Sequence, residues 1–470
     1  MKNSFLKLGY RHNFISFIGL LLIGLGLFRT SFLHHFSLEQ QLTLLLLLIA
    51  IYIWITTPIP TAASSLLILS LMILFNLVDS VEEALAGFLT PALYFILVLS
   101  LISKALVRVE VDQVFARLLI KFSKGGPHFV IVGLPIVILV MPILLPSAVA
   151  RFKMMLPLMN SLNHFYGYEN KSIFHKYSVF LIGMVNQNAT LVIFTGGGFP
   201  ILAHQLLKDY QVANLSWLEW ILLLAPPLWI GSILMVLYIW SYLKHLHSND
   251  LKQATATLTD HKLESGEKKL PFKFWITLFS FFMMILVWIF TDEEKVPLIL
   301  PPMLLIAFYA IPKMGLFTNK MVRGYDWENF LMLGVSFSLG MLLMKNGTAE
   351  AIANLLVALI PANAGMIMKV IVIAVIIFIL RFCFIVPSAA LVVIFPIVMS
   401  YSELLGIEPL QLALLVILIV GSMMVLPIHS TTTYLAFETG ILSKKEQYSI
   451  GLVFSIVFMM ISILSALYYW

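Results

Sequence analysis

With a mean hydropathy of +1.00, 61% apolar residues and only 11% charged ones over 470 positions, the chain lies outside the range of soluble globular domains. The net charge of +6 has no soluble domain on which to form a basic face, so nucleic-acid binding is excluded. A single cysteine, Cys383, gives neither an internal disulfide nor a cysteine metal cluster.

Apolar runs long enough to cross a bilayer as helix, about 20 residues each, follow one another along the chain. They are predicted near 14–28, 38–56, 61–78, 88–107, 178–205, 217–241, 272–291, 296–312, 327–345, 411–438 and 448–469. Lys2, Lys7 and Arg11 before the first run imitate a signal peptide. No small-x-small cleavage site follows and further spans do, so a retained helix is expected.

Two further apolar stretches, 128–160 and 367–400, are each interrupted by the same triplet, as Pro146-Ser147-Ala148 and Pro387-Ser388-Ala389. Each is followed by a second polar break: Thr195-Gly196-Gly197-Gly198 after the first, Ser430-Thr431-Thr432-Thr433 after the second. The matched breaks lie roughly 240 positions apart, and paired interruptions in two halves mark the binding site of a transporter built from repeats. Both stretches are therefore expected to be re-entrant hairpins.

Charge placement tests that count. Arg108, Arg117, Lys121, Lys124, Lys171, Lys176, Lys244, Lys252, Lys262, Lys268, Lys269, Lys273, Lys313, Lys320, Arg323, Lys444 and Lys445 fall on one side. Asp79, Glu82, Glu83 and Asp292, Glu293, Glu294 fall on the other. The positive-inside pattern then puts the N-terminus in the cytoplasm and the C-terminus outside, in a multi-pass cell membrane protein. The predicted fold class is an all-α polytopic membrane protein, an inverted-repeat transporter with about eleven transmembrane helices and two re-entrant hairpins. Its parts are an N-terminal helix and loop (1–37), a first repeat (38–243, with hairpin 128–160 and broken helix 178–205), a cytoplasmic linker (244–271) and a second repeat (272–470, with hairpin 367–400 and broken helix 411–438).

Interrupted helices expose N–H groups and positive dipole ends, which is anion-binding geometry. Substrate ligands are expected from Ser147, Ala148, Thr195, Gly196, Gly197, Ser388, Ala389, Ser430, Thr431 and Thr432, with satisfied helix ends as the plain alternative. Arg151 stands one helical turn after Ser147, where a charge at bilayer depth costs at least ~2.5 kcal/mol. It either faces the hairpin interior, to take a carboxylate or sulfate in bidentate fashion, or snorkels to the surface with Lys153. Arg381, seven residues before Ser388, is a weaker candidate of the same kind. Asn186, Gln187, Asn188 and Thr190, with Gly198, could hold a cation or bridge helices. His429 could carry a coupling proton or serve as a structural hydrogen-bonder. No P-loop and no His-Glu-x-x-His occurs, which argues against an ATP-driven pump and a zinc hydrolase.

Four stretches resemble the divalent-anion:sodium symporter (DASS) family: Ile55-Thr56-Thr57-Pro58-Ile59-Pro60, Glu82 to Leu93, Tyr325-Asp326-Trp327-Glu328-Asn329, and Met424 to Phe437. That resemblance covers nearly the whole chain from about residue 40, in order. It implies two opposed hairpins, a homodimer, and a carrier of di- or tricarboxylates or sulfate. Inverted repeats with discontinuous helices imply an elevator or rocking carrier, elevator-type alternating access being the reading taken, without an organic cofactor and with Na+, H+ or counter-exchange of another anion as the coupling. Where the family's hairpin tips carry Ser-Asn-Thr, this chain keeps only Ser147 and Ser388. A cation or proton antiporter of the same superfamily is the second expectation, and a membrane enzyme, with its short loops against it, the third.

Overall fold

The computed structural model describes residues 36–56, 59–111, 121, 126–246, 271–291, 295–357, 360–361, 364–382, 384 and 386–470. The expected helix 14–28, Arg117, Lys124, most of the 244–271 linker, the acidic run 292–294 and Cys383 lie outside them. Among the described residues every regular element is helical. Five helices are long and apolar enough to cross a membrane: Pro91–Arg108, Trp217–His245, Phe272–Phe290, Trp327–Lys345 and Lys444–Tyr468. Shorter apolar helices run over Leu38–Trp54, Thr61–Leu74, Pro127–Ile143, Leu300–Ala310, Pro387–Ser402 and Pro409–Ser422.

The chain divides into two compact units that cut across its two sequence halves. One unit joins the described residues up to Leu93 to Asp326–Val416. At its centre Trp327–Lys345 packs on Thr61–Leu74, on the short turn Ala86–Leu89 and on Pro387–Leu405. Small residues set these distances. A Cβ at Gly87 would meet the Gly334 carbonyl oxygen at 2.2 Å and the Ser338 nitrogen at 2.3 Å. Gly87 therefore brings backbone against backbone, and its N–H donates to Ser338 Oγ at 3.0 Å. Ser80 caps the helix Val81–Ala84 by accepting from Glu83 N, and Thr90 Oγ1 closes the motif on the Gly87 carbonyl at 2.8 Å. Lys345 joins Asp79 at 2.9 Å and Glu83 at 2.6 Å. Lys345 and Asp79 are exposed and Glu83 is half-buried, so these pairs add little stability.

In the same unit Met366–Arg381 and Pro387–Leu405 are the two limbs of the second interrupted stretch. Pro387 opens the second limb at its first turn, where a missing N–H costs nothing.

The other unit holds Tyr94–Tyr325 and Ile417–Trp470. It contains the first interrupted stretch, whose limbs are Pro127–Val140 and Ala148–Phe165, together with both helix breaks. Ile173–Phe180 passes into a π-helical turn, Leu181–Val185, then into the single turn Asn186–Ala189 and two 3₁₀ turns. Helix resumes at Gly198–Asp209. In the second break Pro409–Ser422 stops, and helix restarts at Thr431–Glu438. The long helices Trp217–Leu246 and Lys444–Tyr468 pack together beside them.

The Gly87→Ala substitution is expected to lower stability by about 1–3 kcal/mol through overpacking, read as a fall in the thermal midpoint of detergent-solubilised protein. Gly365→Ala, with nothing within 4 Å of its new methyl, is the control and should leave the midpoint in place.

Candidate functional site

The first tip is shaped by Pro146, which disfavours helix at Leu145. Ser147 N turns back to the Leu145 carbonyl at 2.8 Å. Ser147 then caps the next helix, accepting from Ala150 N at 3.3 Å. The open end of that helix aims its first N–H groups, those of Ala148 and Val149, along the axis. Ser147 and Ala148 are half-buried.

Arg151 is fully buried and Lys153 is exposed. The guanidinium faces inward: Nε donates to Asn186 Oδ1 at 2.6 Å and one terminal nitrogen to the Asn186 carbonyl at 3.1 Å. The other terminal nitrogen donates to the Leu145 carbonyl. Asn186 completes the tie, its Nδ2 donating to the carbonyls of Ala148 at 2.9 Å and Ile182 at 3.1 Å. Among the described residues Arg151 pairs with no carboxylate. Among the described residues this buried cation is thus held by neutral oxygens, between the Pro146 turn and the first break.

Thr190 Oγ1 returns to the Gln187 carbonyl at 2.6 Å. Gly196 approaches the Thr190 carbonyl so closely that a Cβ would stand 2.3 Å from its oxygen, and Gly197 lies beside the Thr190 side chain and the Pro146 carbonyl. The glycine run thus folds back on the tip. Gly198 faces Ile96 instead.

The outer wall of the first break is aromatic. Trp217 Nε1 donates to Thr195 Oγ1 at 3.2 Å and Trp220 Nε1 to the Leu191 carbonyl at 2.9 Å. Phe194 stacks on His204, their ring centres 4.7 Å apart. Thr195 is therefore buried and engaged by an indole. Neither tryptophan stands out in the sequence, although their spacing of three puts both on one helix face.

Thr432 links the two breaks. Its hydroxyl donates to the Gly183 carbonyl in the π-helical turn at 2.6 Å and lies 3.2 Å from Gln187 Oε1. A π-turn leaves such a carbonyl without its usual helical partner, and such turns gather at functional sites. Ser430 caps Thr431–Glu438, accepting from Thr433 N at 3.3 Å, and lies 3.1 Å from Thr432 Oγ1. Thr431, next along, is exposed. Met424 N donates to Ser455 Oγ at 2.8 Å. Gly451, one turn earlier on that helix, has room for no Cβ because the Met424 carbonyl oxygen would lie 2.4 Å away. His429 Nδ1 accepts weakly from Leu426 N at 3.4 Å.

The structure thus gathers Ser147, Ala148, Arg151, Asn186, Thr190, Gly196 and Gly197 about the first tip, and sets Gln187 and Thr432 together where the two breaks meet. It sets His429 on the second break and Gly198 and Thr195 on the outer side of the first. Asn188 is fully buried, and neither of its amide atoms has a hydrogen-bond partner among the described residues. Ser388 and Ala389 belong to the other unit, where both are buried on the second limb. There Arg381 is fully buried and donates to the Phe384 carbonyl just before the tip.

One ion pair also lies inside this unit. Lys176 Nζ meets Glu446 Oε1 at 2.7 Å with both residues buried. Glu446 is the third residue of a capping box with Ser443, so the pair pins the broken helix to the start of Lys444–Tyr468.

Interrupted apolar helices set among long apolar spans are consistent with a polytopic membrane transporter. A model of the sodium:sulfate symporter transmembrane region matches residues 12–470, and the chain belongs to that family. It is also 24% identical over 417 residues to a protein of Haemophilus influenzae described as an uncharacterized transporter, with 84% of each chain covered.

Lys176→Met alone, or Glu446→Leu alone, removes one partner of a buried ion pair and should cost about 3–5 kcal/mol. The double variant should recover most of that loss, giving a strong coupling energy in a double-mutant cycle of unfolding midpoints.

Proposed function

We propose that the protein is a secondary active transporter of small divalent or trivalent anions, of the sulfate or di- and tricarboxylate class, working by elevator-type alternating access. One observation carries this reading: a fully buried arginine with no carboxylate partner among the described residues sits directly behind a hairpin tip. A cation in that position raises the local potential, and burial weakens its screening by salt. In front of it stand the half-buried Ser147 hydroxyl and the leading N–H groups of Ala148–Phe165, with the glycines of the first break alongside. Those groups suit an anion's oxygens. Arg151 acts from behind, holding the tip on Asn186 and supplying charge, while Ser147, Gly197 and Thr432 form the wall nearest the anion. Ser388 and Ala389 at the second tip remain candidates in their own unit. Assembly as a homodimer belongs to this reading, as does placement in the cell membrane with a cytoplasmic N-terminus.

The experiment is thermal stabilisation of purified protein by sulfate, succinate and citrate at constant ionic strength, with chloride as reference. Ligand that binds only the native state raises stability with concentration. One polyvalent anion should raise the midpoint saturably, and Ser147→Ala should shift its half-saturating concentration upward roughly tenfold, as loss of one charge-assisted hydrogen bond implies. A midpoint that ignores every anion but answers to sodium or to pH would move the assignment to a cation or proton antiporter, with Asn188 as first candidate ligand.

A further inference from the structure

We infer that the first hairpin carries its own cation. The Arg151 guanidinium fills a cage of oxygens that would otherwise suit an alkali ion, so sodium is not a ligand at this tip.

The cage has three members: the Leu145 carbonyl, the Asn186 carbonyl and Asn186 Oδ1, each of which accepts from Arg151. All are neutral, and they come from segments that meet only in the fold. Hard monovalent and divalent cations take oxygen ligands of this kind. Here every member is already engaged. The Leu145 oxygen accepts from Ser147 N as well as from the arginine. Asn186 cannot swing its oxygen elsewhere, because its amide nitrogen is anchored on two carbonyls, those of Ala148 and Ile182. Free sodium would have to displace a cation tethered one helical turn away, which competes at a high effective concentration. The displaced guanidinium would then be buried without partners, at heavy cost.

The family's name implies sodium, and the oxygens at this tip do not fit it. The consequence rests on the anion-carrier reading: the anion meets a charge that never dissociates, so a sodium gradient has no handle on this tip. Arg381 in the other unit likewise donates to a carbonyl just before its tip, that of Phe384.

The test reads cations in a buffer free of sulfate and carboxylates, so its result stands whether or not an anion substrate is found. Unfolding midpoints of wild type, Arg151→Lys and Arg151→Ser are compared in sodium, lithium and choline chloride at equal ionic strength, and in choline chloride with a few millimolar guanidinium. Wild type and Arg151→Lys should not distinguish sodium from choline. Arg151→Ser empties the cage and should be stabilised by sodium or lithium, and by guanidinium at concentrations far below denaturing ones. Monodisperse elution on gel filtration certifies that the serine variant is folded, and Arg151→Lys covers the case in which it is not. A sodium-specific rise in wild type as large as in the serine variant overturns the inference. So does a monodisperse serine variant that answers to none of the three cations.

Discussion

A helix that stops inside a bilayer leaves N–H and C=O groups that lipid cannot bond. The architecture of this site follows from meeting that demand with side chains, some local and some distant in the chain. At the first tip the Leu145 carbonyl is taken by Arg151. At the first break Trp220 takes the Leu191 carbonyl, and Thr432 takes that of Gly183. At the second break Ser455 accepts from Met424 N. At the breaks each freed group is answered by a residue on a different segment, and Thr432 ties the two breaks to one another. The polar residues there would be bland helix-end caps in water. Here the same bonds join segments distant in the chain.

Much of this was legible in the sequence, because a break has to be made of residues that stop helices. Pro146, Ser147, the glycines 196–198, Pro427 and Ser430 are helix stoppers and caps in any solvent, and they lie where the structure interrupts its helices. Apolar run lengths gave the helical class for the same reason: only a helix satisfies its own backbone in lipid. What answers the breaks was far less visible. Trp217, Trp220, Gly451 and Ser455 sit on uninterrupted apolar helices, where tryptophan, glycine and serine are ordinary membrane-helix residues. Their partners are 22 and 29 residues away for the tryptophans and 31 for Ser455, beyond any local periodicity.

Charged residues show the same limit. Sequence placed Lys176 among the basic loops, and the structure buries it against Glu446, 270 residues on. Arg151 and Lys153 read alike, two cations near one tip, and their fates divide on helix geometry. Arg151 stands one turn from Ser147 and reaches back over the turn that Leu145 opens, as helical side chains lean toward the N-terminus. Lys153 stands two positions further round, on the opposite face, and is exposed.

The two buried arginines are not copies of each other. Aligning the tips on Pro146 and Pro387 puts Arg151 opposite Val392, and Arg381 opposite Val140. Arg151 therefore follows its tip and Arg381 precedes its own. Repetition of an ancestral half would have placed them alike. Their common feature is the bond to a tip carbonyl, from Arg151 to Leu145 and from Arg381 to Phe384. The recurring element is thus the unmet carbonyl, and any helix limb within one or two turns can supply the cation that meets it. A guanidinium suits the task better than an ammonium, since its fork of donors can hold several oxygens in one plane and is only weakly hydrated. At the first tip that fork also grips Asn186 twice, so the side chain that closes the Pro146 turn also joins it to the broken helix.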